Sequence, residues 1–174
     1  MNKAIFLDRD GVINKEIGFV FRVEDFVLTG DIIESLRKLQ DAGFIFIVVT
    51  NQSGIAKGLY KSEDVEKVHK HMLSLMKQNG IIISEIYYCP HHSDVEPCTC
   101  RKPDSGMLEK AIARFNIDVS KSFLIGDKER DVQAAEKAGV RAFHIESDSP
   151  IMGIAEKIIT LTTAPSCCPK GGGM

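Results

Sequence analysis

Hydrophobic residues in this chain fall into short, nearly continuous runs separated by segments in which they recur at helical spacing. The runs occupy residues 4–7, 44–49, 86–88, 123–125 and 141–145. A strand that is apolar on both faces is typical of a parallel sheet, because helices cover both of its sides. The runs therefore predict five strands. The loop 13–29 leaves room for one more short strand, at residues 26–28.

The segments between the runs carry apolar faces with a period of three to four residues. The first helix is predicted to begin after an Asp31 cap and to end at Gly43. The second is predicted to begin at a Ser62 cap and to end at Gly80. Three more helices are predicted over residues 107–115, over 131–138 and beyond Pro150. Because strands and helices alternate, the predicted fold class is α/β, a parallel sheet in three layers.

Two histidines, His69 and His71, lie on the second predicted helix. Residues two apart do not share a helix face, so we predict that both are surface or interface residues and not ligands. The chain is predicted to form one domain over residues 1–163. Residues 164–174 offer little apolar surface to bury and are predicted to be a disordered tail.

Composition and charge exclude several classes of partner. The chain has 174 residues, of which 44% are hydrophobic, and its net charge of −2 gives no reason to expect nucleic acid as a partner. No apolar run is long enough to span a bilayer, and no signal-peptide pattern precedes the first strand. We therefore predict a cytoplasmic protein without a membrane partner. We also predict a monomer, because no large exposed apolar stripe stands out.

Polar residues follow three of the predicted strands where each strand ends. Asp8 and Asp10 follow the first strand, Thr50 the second and Asp127 the fourth, while Lys102 lies on a loop before a helix. The carboxyl ends of parallel strands share one edge of the sheet, where ligands bind. Paired carboxylates favour Mg²⁺, and an aspartate, a hydroxyl and an ammonium group together suit phosphoryl transfer. Each residue alone is equally compatible with a turn, a helix cap or a solvated charge.

The same residues lie in four motifs, at positions 8–11, 50–54, 101–103 and 126–128. Together the motifs resemble the four signatures of the haloacid dehalogenase-type phosphatases, over nearly all of residues 4–145. The resemblance implies a three-layer Rossmann-like sheet. The implied catalytic residues are the nucleophile Asp8, the general acid and base Asp10, and two groups that neutralise phosphoryl charge, Thr50 and Lys102.

The resemblance also implies a catalytic Mg²⁺ ion. Its implied ligands are the carboxylates of Asp8 and Asp127 and the backbone carbonyl of Asp10. Asp131 lies where relatives carry a second acidic residue, and it is equally suited to cap the helix that follows.

The loop 89–100 carries a separate cluster of thiols and imidazoles. The predicted ligand set, a Cys₃His group that suits a closed tetrahedral Zn²⁺ site, comprises Cys89, His91, Cys98 and Cys100. His91 is preferred to His92 because similar proteins have the Cys-x-His spacing. We predict a structural zinc that fixes the loop before Arg101 and Lys102. The alternative is a set of reduced, metal-free cysteines.

The zinc loop narrows the resemblance to the branch that holds the heptose bisphosphate and histidinol-phosphate phosphatases. Residues 50–58 and 87–92 resemble the heptose members, whereas the short spacing between His91 and Cys98 is nearer to the histidinol members. The gaps after the first two strands are too short for a cap domain, so we expect an open site. The predicted substrate-binding residues are Glu16, Ile17, Gly18, Phe19, Asn51, Gln52, Ser53, Arg101 and Lys128.

We predict a phosphomonoesterase that removes the C7 phosphate of D-glycero-D-manno-heptose 1,7-bisphosphate. The fork of Arg101 suits the second phosphate of such a small sugar bisphosphate. Histidinol phosphate is the alternative substrate. Two functions without turnover also stay open: a phospho-receiver domain, which needs neither Asp10 as an acid nor a zinc loop, and a zinc-stabilised binding scaffold, which would tolerate Asp8→Asn.

Overall fold

The structure, a computed structural model, describes residues 1–163. All five predicted strands are present, and they form one parallel sheet in the order β3-β2-β1-β4-β5. Their bounds are β1 Lys3–Leu7, β2 Phe44–Asn51, β3 Ile83–Cys89, β4 Phe123–Gly126 and β5 Arg141–His144. The central strand β1 therefore delivers Asp8 to the middle of the sheet edge. The predicted tail 164–174, with Cys167 and Cys168, lies outside the described residues.

Five α-helices connect and follow the strands: α1 Ile32–Asp41, α2 Ser62–Gln78, α3 Gly106–Phe115, α4 Glu129–Lys137 and α5 Met152–Thr163. Short 3₁₀ turns occupy Val23–Asp25 and Val119–Lys121. Between β1 and α1 there is only a loop with one such turn, and between β2 and α2 only a loop. Residues 1–163 therefore contain no inserted cap domain over the sheet edge.

Alternating residues of the strands point to two separate cores, which confirms the three-layer arrangement. Ile5 and Leu7 of β1 pack with α1, α2 and α5 on one side of the sheet. Ala4 and Phe6 pack with α3 and α4 on the other side. Neighbouring residues of an extended chain face opposite ways, so a strand covered on both faces is apolar throughout.

Several local expectations differ from the structure. Asp31 occupies the predicted N-cap position of α1, but its carboxylate does not bond to that helix; it accepts hydrogen bonds from the backbone N–H groups of Ile151 and Met152 at the start of α5. Ser62 is the first residue of α2 and not its cap. Residues 26–28 form no strand, and Leu28 makes only an isolated bridge with Asn14.

Helix α4 begins at Glu129, two residues before its predicted start. Its first turn is stabilised by Asp131, whose carboxylate accepts a hydrogen bond from the backbone N–H of Lys128. A carboxylate at the third helical position satisfies a free N–H group at the helix start. The helix therefore extends to the end of the loop that carries Asp127.

Candidate active site

A cavity of about 260 Å³ opens at the carboxyl edge of the sheet. Loops after β1, β2, β3 and β4 contribute its walls. Most of the residues predicted to act on a substrate line it: Asp8, Asp10, Glu16, Gly18, Phe19, Thr50, Asn51, Gln52, Ser53 and Arg101. The structure thus brings residues far apart in the chain to one edge, as expected for an open parallel sheet.

Asp8 lies in this cavity at the end of the central strand and is almost completely buried. Its Oδ1 atom lies 3.0 Å from Nζ of Lys102 and accepts a hydrogen bond from the backbone N–H of Arg9. Its Oδ2 atom receives no hydrogen bond from residues 1–163. Burial raises the pKa of Asp8 from 3.8 to about 7; Lys102 opposes this shift, and the carboxylates of Asp131 and Asp10 add to it.

Lys102 is buried behind Asp8 and does not line the cavity. Its ammonium group lies 3.0 Å from Asp8 and 2.7 Å from Asp131, and it donates to the backbone carbonyl of Val49. The pKa of Lys102 is raised, because the attraction of the two carboxylates exceeds the opposing effect of burial. The ammonium group therefore holds the nucleophile candidate in place while compensating its charge.

Asp131 is suited by sequence either to the acidic site or to a helix cap, and the structure gives it contacts of both kinds. One oxygen is paired with Lys102, and the other caps α4. Asp131 is completely buried. It shares one compact acidic group with Asp8 and Asp127, in which a ligand oxygen of each residue lies within 4.8 Å of the others.

Asp127 supplies the observation that tests the fit of a metal ion. Its Oδ1 atom is buried and has no hydrogen-bond partner within the described residues, whereas Oδ2 accepts from Ser147 and lies 2.8 Å from Nζ of Lys128. A buried carboxylate oxygen without a donor is costly unless a cation compensates it. The Asp127 carboxylate can pack against the loop after β1 only because residue 11 is glycine: a Cβ atom there would lie 2.3 Å from Asp127 Oδ2. The carboxylate donors thus fit Mg²⁺.

Asp10 lines the cavity, and its carboxylate accepts several hydrogen bonds. Arg9 donates from Nε and Nη2 at 2.8–3.1 Å, Asn14 donates at 3.0 Å and Gln52 at 3.0 Å. Asp10 is not in the compact acidic group. This placement is compatible with the implied metal contact through its backbone carbonyl.

Arg9 and His69 form a buried pair that the sequence did not indicate. Arg9 is completely buried, and its Nη1 lies 3.3 Å from Nε2 of His69 on α2. The prediction that His69 is a surface or interface residue is therefore wrong. Burial, assisted by the Arg9 charge, lowers the pKa of His69 to about 3. A neutral imidazole that accepts a hydrogen bond from Arg9 satisfies both groups.

Thr50 and Asn51 end β2 and have different contacts. The Thr50 hydroxyl is buried at the cavity wall and accepts a hydrogen bond from Gln52. The Asn51 amide exchanges hydrogen bonds with the backbone of Lys102, accepting from its N–H at 3.1 Å and donating to its carbonyl at 2.9 Å. Asn51 therefore positions the loop that carries the buried lysine.

The predicted zinc ligands come together in the loop after β3. Each of the four residues offers one atom within 4.8 Å of the others: Cys89, His91, Cys98 and Cys100. His91 Nδ1 faces the thiols, and its Nε2 lies 3.4 Å from the carboxylate of Glu96. His92 lies at the cavity wall instead. Three thiols and one imidazole at this separation fit Zn²⁺, and a carboxylate behind the histidine fixes the ring.

Two predicted substrate-binding residues lie outside the cavity wall. Ile17 is 60% exposed, and the ammonium group of Lys128 is bound to Asp127 and Ser147. Five further residues line the cavity although they are not among the predicted substrate-binding residues: Val20, Lys57, Tyr60, His92 and Arg130. Arg130 has a buried Nε without a hydrogen-bond partner in the described part of the chain. The sequence offers one indication that Arg130 lies near the site, because it follows the predicted metal ligand Asp127 by only three residues.

The stability of the metal-free protein is expected to depend on the charge of Asp8. The pKa of Asp8 is about 7 in the folded chain, whereas its ordinary value, which applies to the unfolded chain, is 3.8. Between these two pH values the folded state therefore binds more protons than the unfolded state. Its contribution to stability therefore falls as pH rises from about 4 to about 7. Mg²⁺ favours the ionised form, so the increase in Tm on adding Mg²⁺ should be larger near about pH 8 than near about pH 5. Thermal melts in EDTA and in Mg²⁺ at both pH values test this. In Asp8→Asn the Mg²⁺-induced increase in Tm should depend much less on pH.

The fold and this set of side chains define a phosphatase of the haloacid dehalogenase type. A family model described as polynucleotide kinase 3 phosphatase matches residues 4–149. The chain belongs to this family. The match includes residues of every strand of the sheet, together with the acidic group and the zinc-type cluster.

Individual relatives match most of the chain. A D-glycero-alpha-D-manno-heptose-1,7-bisphosphate 7-phosphatase of Photorhabdus laumondii is 39% identical over 164 residues, 90% of each chain. A D-glycero-beta-D-manno-heptose-1,7-bisphosphate 7-phosphatase of Haemophilus influenzae is 39% identical over 91% of this chain and 89% of that protein. The crystal structure of a D,D-heptose 1,7-bisphosphate phosphatase from B. bronchiseptica, complexed with magnesium and phosphate, has a TM-score of 0.78 at 31% identity and covers 94% of this chain and 89% of that one.

These relatives confirm the sequence-based assignment to the haloacid dehalogenase-type phosphatases and the prediction of an enzyme. A phosphatase of this type, with a magnesium-containing structural relative, implies Mg²⁺. Within residues 1–163, no helix combines the length and the apolar character needed to cross a bilayer.

Proposed function

We propose that this chain is a Mg²⁺-dependent phosphomonoesterase that removes the C7 phosphate of D-glycero-D-manno-heptose 1,7-bisphosphate. The observation that carries the proposal is a cavity in which Asp8, a member of the acidic group, has an oxygen without a hydrogen bond in the described chain and in which several cations without carboxylate partners there line the same wall. Relatives that match 90% or more of the chain carry this activity in their names. The geometry and the similarity both support this substrate.

Catalysis proceeds in two displacements at phosphorus. The carboxylate of Asp8 attacks the C7 phosphate, a bond forms between its oxygen and phosphorus, and the bond from phosphorus to the sugar oxygen breaks. Asp10 gives its proton to the departing oxygen. Asp10 then accepts a proton from water, whose oxygen attacks the phospho-aspartate, so that orthophosphate leaves and the Asp8 carboxylate is restored.

Other groups compensate charge during both displacements. The Thr50 hydroxyl donates to a phosphoryl oxygen, and Lys102 stabilises Asp8 from behind. The residues that would hold Mg²⁺ are Asp8, Asp127 and the backbone carbonyl of Asp10; when bound, the ion neutralises negative charge on the phosphate. The buried oxygen of Asp127 supports this ligand set.

The second phosphate is bound by cations at the cavity wall. Lys57, Arg101 and Arg130 come from the loops or helix starts after β2, β3 and β4, and none has a carboxylate partner within the described chain. Arg101 is held in place by a hydrogen bond to the backbone carbonyl of His91, a zinc-ligand candidate. An arginine fork binds two phosphate oxygens at once. A sugar with phosphates at both ends matches this distribution of charge.

The Cys₃His cluster holds a structural Zn²⁺ ion in this proposal. The cluster supports the loop in which Arg101 and Lys102 follow Cys100 directly. The protein acts as a cytoplasmic monomer on a small metabolite, without nucleic acid or membrane. These last points stay predictions from charge and composition.

The substrate is tested by comparing heptose 1,7-bisphosphate, as both anomers, with histidinol phosphate in the presence of Mg²⁺. Phosphorus NMR should show loss of the C7 signal while the C1 phosphate remains. We expect kcat/KM for the heptose to exceed that for histidinol phosphate by about a hundredfold or more. Faster release from histidinol phosphate would support the alternative substrate, and loss of the C1 phosphate would contradict the assigned position.

Arg130→Gln is expected to raise KM for the bisphosphate about tenfold, because the variant loses a charged contact with the second phosphate. With p-nitrophenyl phosphate, which has no second phosphate, KM should change by less than about twofold. Arg37→Gln serves as the matched control, since Arg37 lies on α1 and donates to the backbone carbonyl of Asn79 away from the cavity. An equal effect of Arg130→Gln on both substrates would contradict its assigned role.

Zinc removal is expected to lower both stability and activity. Elemental analysis should find one Zn²⁺ per chain, and Cys98→Ser should lose the metal and lower Tm by about 10 °C or more. Activity should fall with it, because the loop carrying Lys102 loses its support. Zinc content near zero in a fully active wild-type preparation would contradict the structural role of the cluster.

A further inference from the structure

The side-chain amide of Gln52 has no polar group left for a substrate. Gln52 is 2% exposed, and its Nε2 atom lies 3.0 Å from Asp10 Oδ2 and 3.0 Å from Thr50 Oγ1. Its Oε1 atom accepts a hydrogen bond of 3.0 Å from the Tyr60 hydroxyl. Both amide hydrogens and the amide oxygen are therefore used within the protein.

The chemistry of the partners fixes the direction of every hydrogen bond in this group. Only the NH₂ end of the amide can face the carboxylate of Asp10, which places the amide oxygen against Tyr60. A carbonyl oxygen only accepts, so the Tyr60 hydroxyl donates. The second N–H of Gln52 points to Thr50, which accepts and keeps its own proton free.

The free proton of Thr50 matters because Thr50 lines the cavity beside Asp8. The Thr50 hydroxyl donates no hydrogen bond to any residue of the described chain, 1–163. A hydroxyl that already accepts from Gln52 directs its proton away from that contact, so the proton is available to a phosphoryl group in the cavity. Pre-oriented donors stabilise developing charge without reorganisation during the reaction.

Tyr60 is itself held firmly. Its ring stacks on Phe21 with centroids 5.0 Å apart, and it lies over Gly54, where a Cβ atom would approach the ring to 2.1 Å. Burial raises the pKa of the Tyr60 phenol, which keeps the hydroxyl protonated.

The backbone of Gln52 is fixed as well. Its N–H group donates to the carbonyl of Cys89 at 2.7 Å, which anchors the residue to the end of β3.

We propose that Tyr60 and Gln52 are positioning residues: Tyr60 fixes the orientation of the Gln52 amide, which aims the Thr50 proton and holds the Asp10 carboxylate. Gln52 then acts through Thr50 and Asp10 and does not contact the substrate. This inference deepens the proposed function and rests on it.

The test compares four proteins: the wild type, Tyr60→Phe, Gln52→Leu and the double variant. Tyr60→Phe keeps the stacked ring and removes only the hydroxyl. We expect kcat to fall about tenfold in Tyr60→Phe and about a hundredfold in Gln52→Leu, with KM within about twofold in both. Since Tyr60 acts through Gln52, the double variant should match Gln52→Leu to within about threefold.

Tyr87→Phe is the matched control, because its hydroxyl is buried without a hydrogen-bond partner and lies outside the cavity wall. It should leave kcat unchanged. Circular dichroism and melting curves verify folding, and Gln52→Met replaces Gln52→Leu if the latter does not fold. Wild-type turnover tests the proposed function separately, since only the ratios between variants test the positioning pair.

Each other outcome overturns the inference. A rise in KM with unchanged kcat would make Gln52 a substrate contact. Multiplicative losses in the double variant would show that Tyr60 acts independently of Gln52. Unchanged kcat in Tyr60→Phe would show that the hydroxyl orients nothing.

Discussion

Asp8→Asn is expected to lower kcat by about ten-thousandfold or more while the protein stays folded. The amide lacks the negative oxygen that attacks phosphorus, so no phospho-enzyme forms. The replacement is nearly isosteric, and it removes a buried charge that lies close to Asp131 and Asp127. Tm in EDTA should therefore be unchanged or higher. Phosphate release with Mg²⁺ and thermal melts measure the two effects.

Asp41→Asn is a suitable control for this substitution. Asp41 is an exposed aspartate at the end of α1, close to the start of β2 and therefore at the opposite edge of the sheet. It should retain full activity. If Asp8→Asn kept more than about one hundredth of the wild-type kcat, Asp8 would not be the nucleophile.

Lys102→Met is expected to impair both folding stability and turnover. It leaves two buried carboxylates, Asp8 and Asp131, without their shared cation and removes a donor from the carbonyl of Val49. Removing one partner of a buried ion pair costs about 3–5 kcal/mol. We expect a loss of that size in the free energy of unfolding near neutral pH, with a kcat at least about a thousandfold lower.

Denaturant unfolding measures the loss of stability. The loss should shrink as pH falls through the raised pKa of Asp8, because the protonated carboxyl needs no cation. Asp8→Asn placed in the Lys102→Met background should restore part of the stability. Lys137→Met provides a surface control, since Lys137 pairs with a half-exposed Asp104 at 2.7 Å and should contribute less than about 1 kcal/mol. Equal losses for the two lysine variants would contradict the buried network.

The strands and the residues at their ends were predictable because both leave local signals. Apolar runs such as residues 44–49 indicate a strand covered on both faces, and the structure places a strand there. Asp8, Thr50 and Asp127 follow such runs directly, so one rule about sheet edges brings them together. The cysteine spacing likewise predicted which side chains meet in the loop 89–100.

Contacts between distant side chains left no comparable signal. His69 illustrates this: Val65 lies four residues before it and is buried, so His69 belongs to the buried stripe of α2, although its two-residue spacing from His71 led to a prediction of the surface. Its partner Arg9 is buried only because His69, Asp10 and the carbonyl of Val20 accept its hydrogen bonds. The sequence around Arg9 does not indicate His69 as a partner, and the sequence around His69 does not indicate Arg9.

The sequence also does not show which polar side chains are already hydrogen-bonded to other protein groups. Gln52 and Lys128 looked available for a substrate, but the structure binds their polar atoms to protein groups. Conversely, Arg130 precedes the helix predicted over residues 131–138 and was not among the predicted substrate-binding residues, but the structure places it in the first turn of α4, where it lines the cavity. Whether a polar side chain is free depends on tertiary neighbours, which periodicity does not report.

The most direct test of the whole account is chemical capture of the phospho-aspartate. Enzyme turning over substrate with Mg²⁺ is quenched, reduced with borohydride, which converts an acyl phosphate to an alcohol, and digested with trypsin. Cleavage after Lys3 and Arg9 places Asp8 and Asp10 in different peptides. We expect homoserine in place of Asp8 in the peptide of residues 4–9 and an unmodified Asp10. Phosphate release without modification at Asp8, or modification at another carboxylate, would contradict the account.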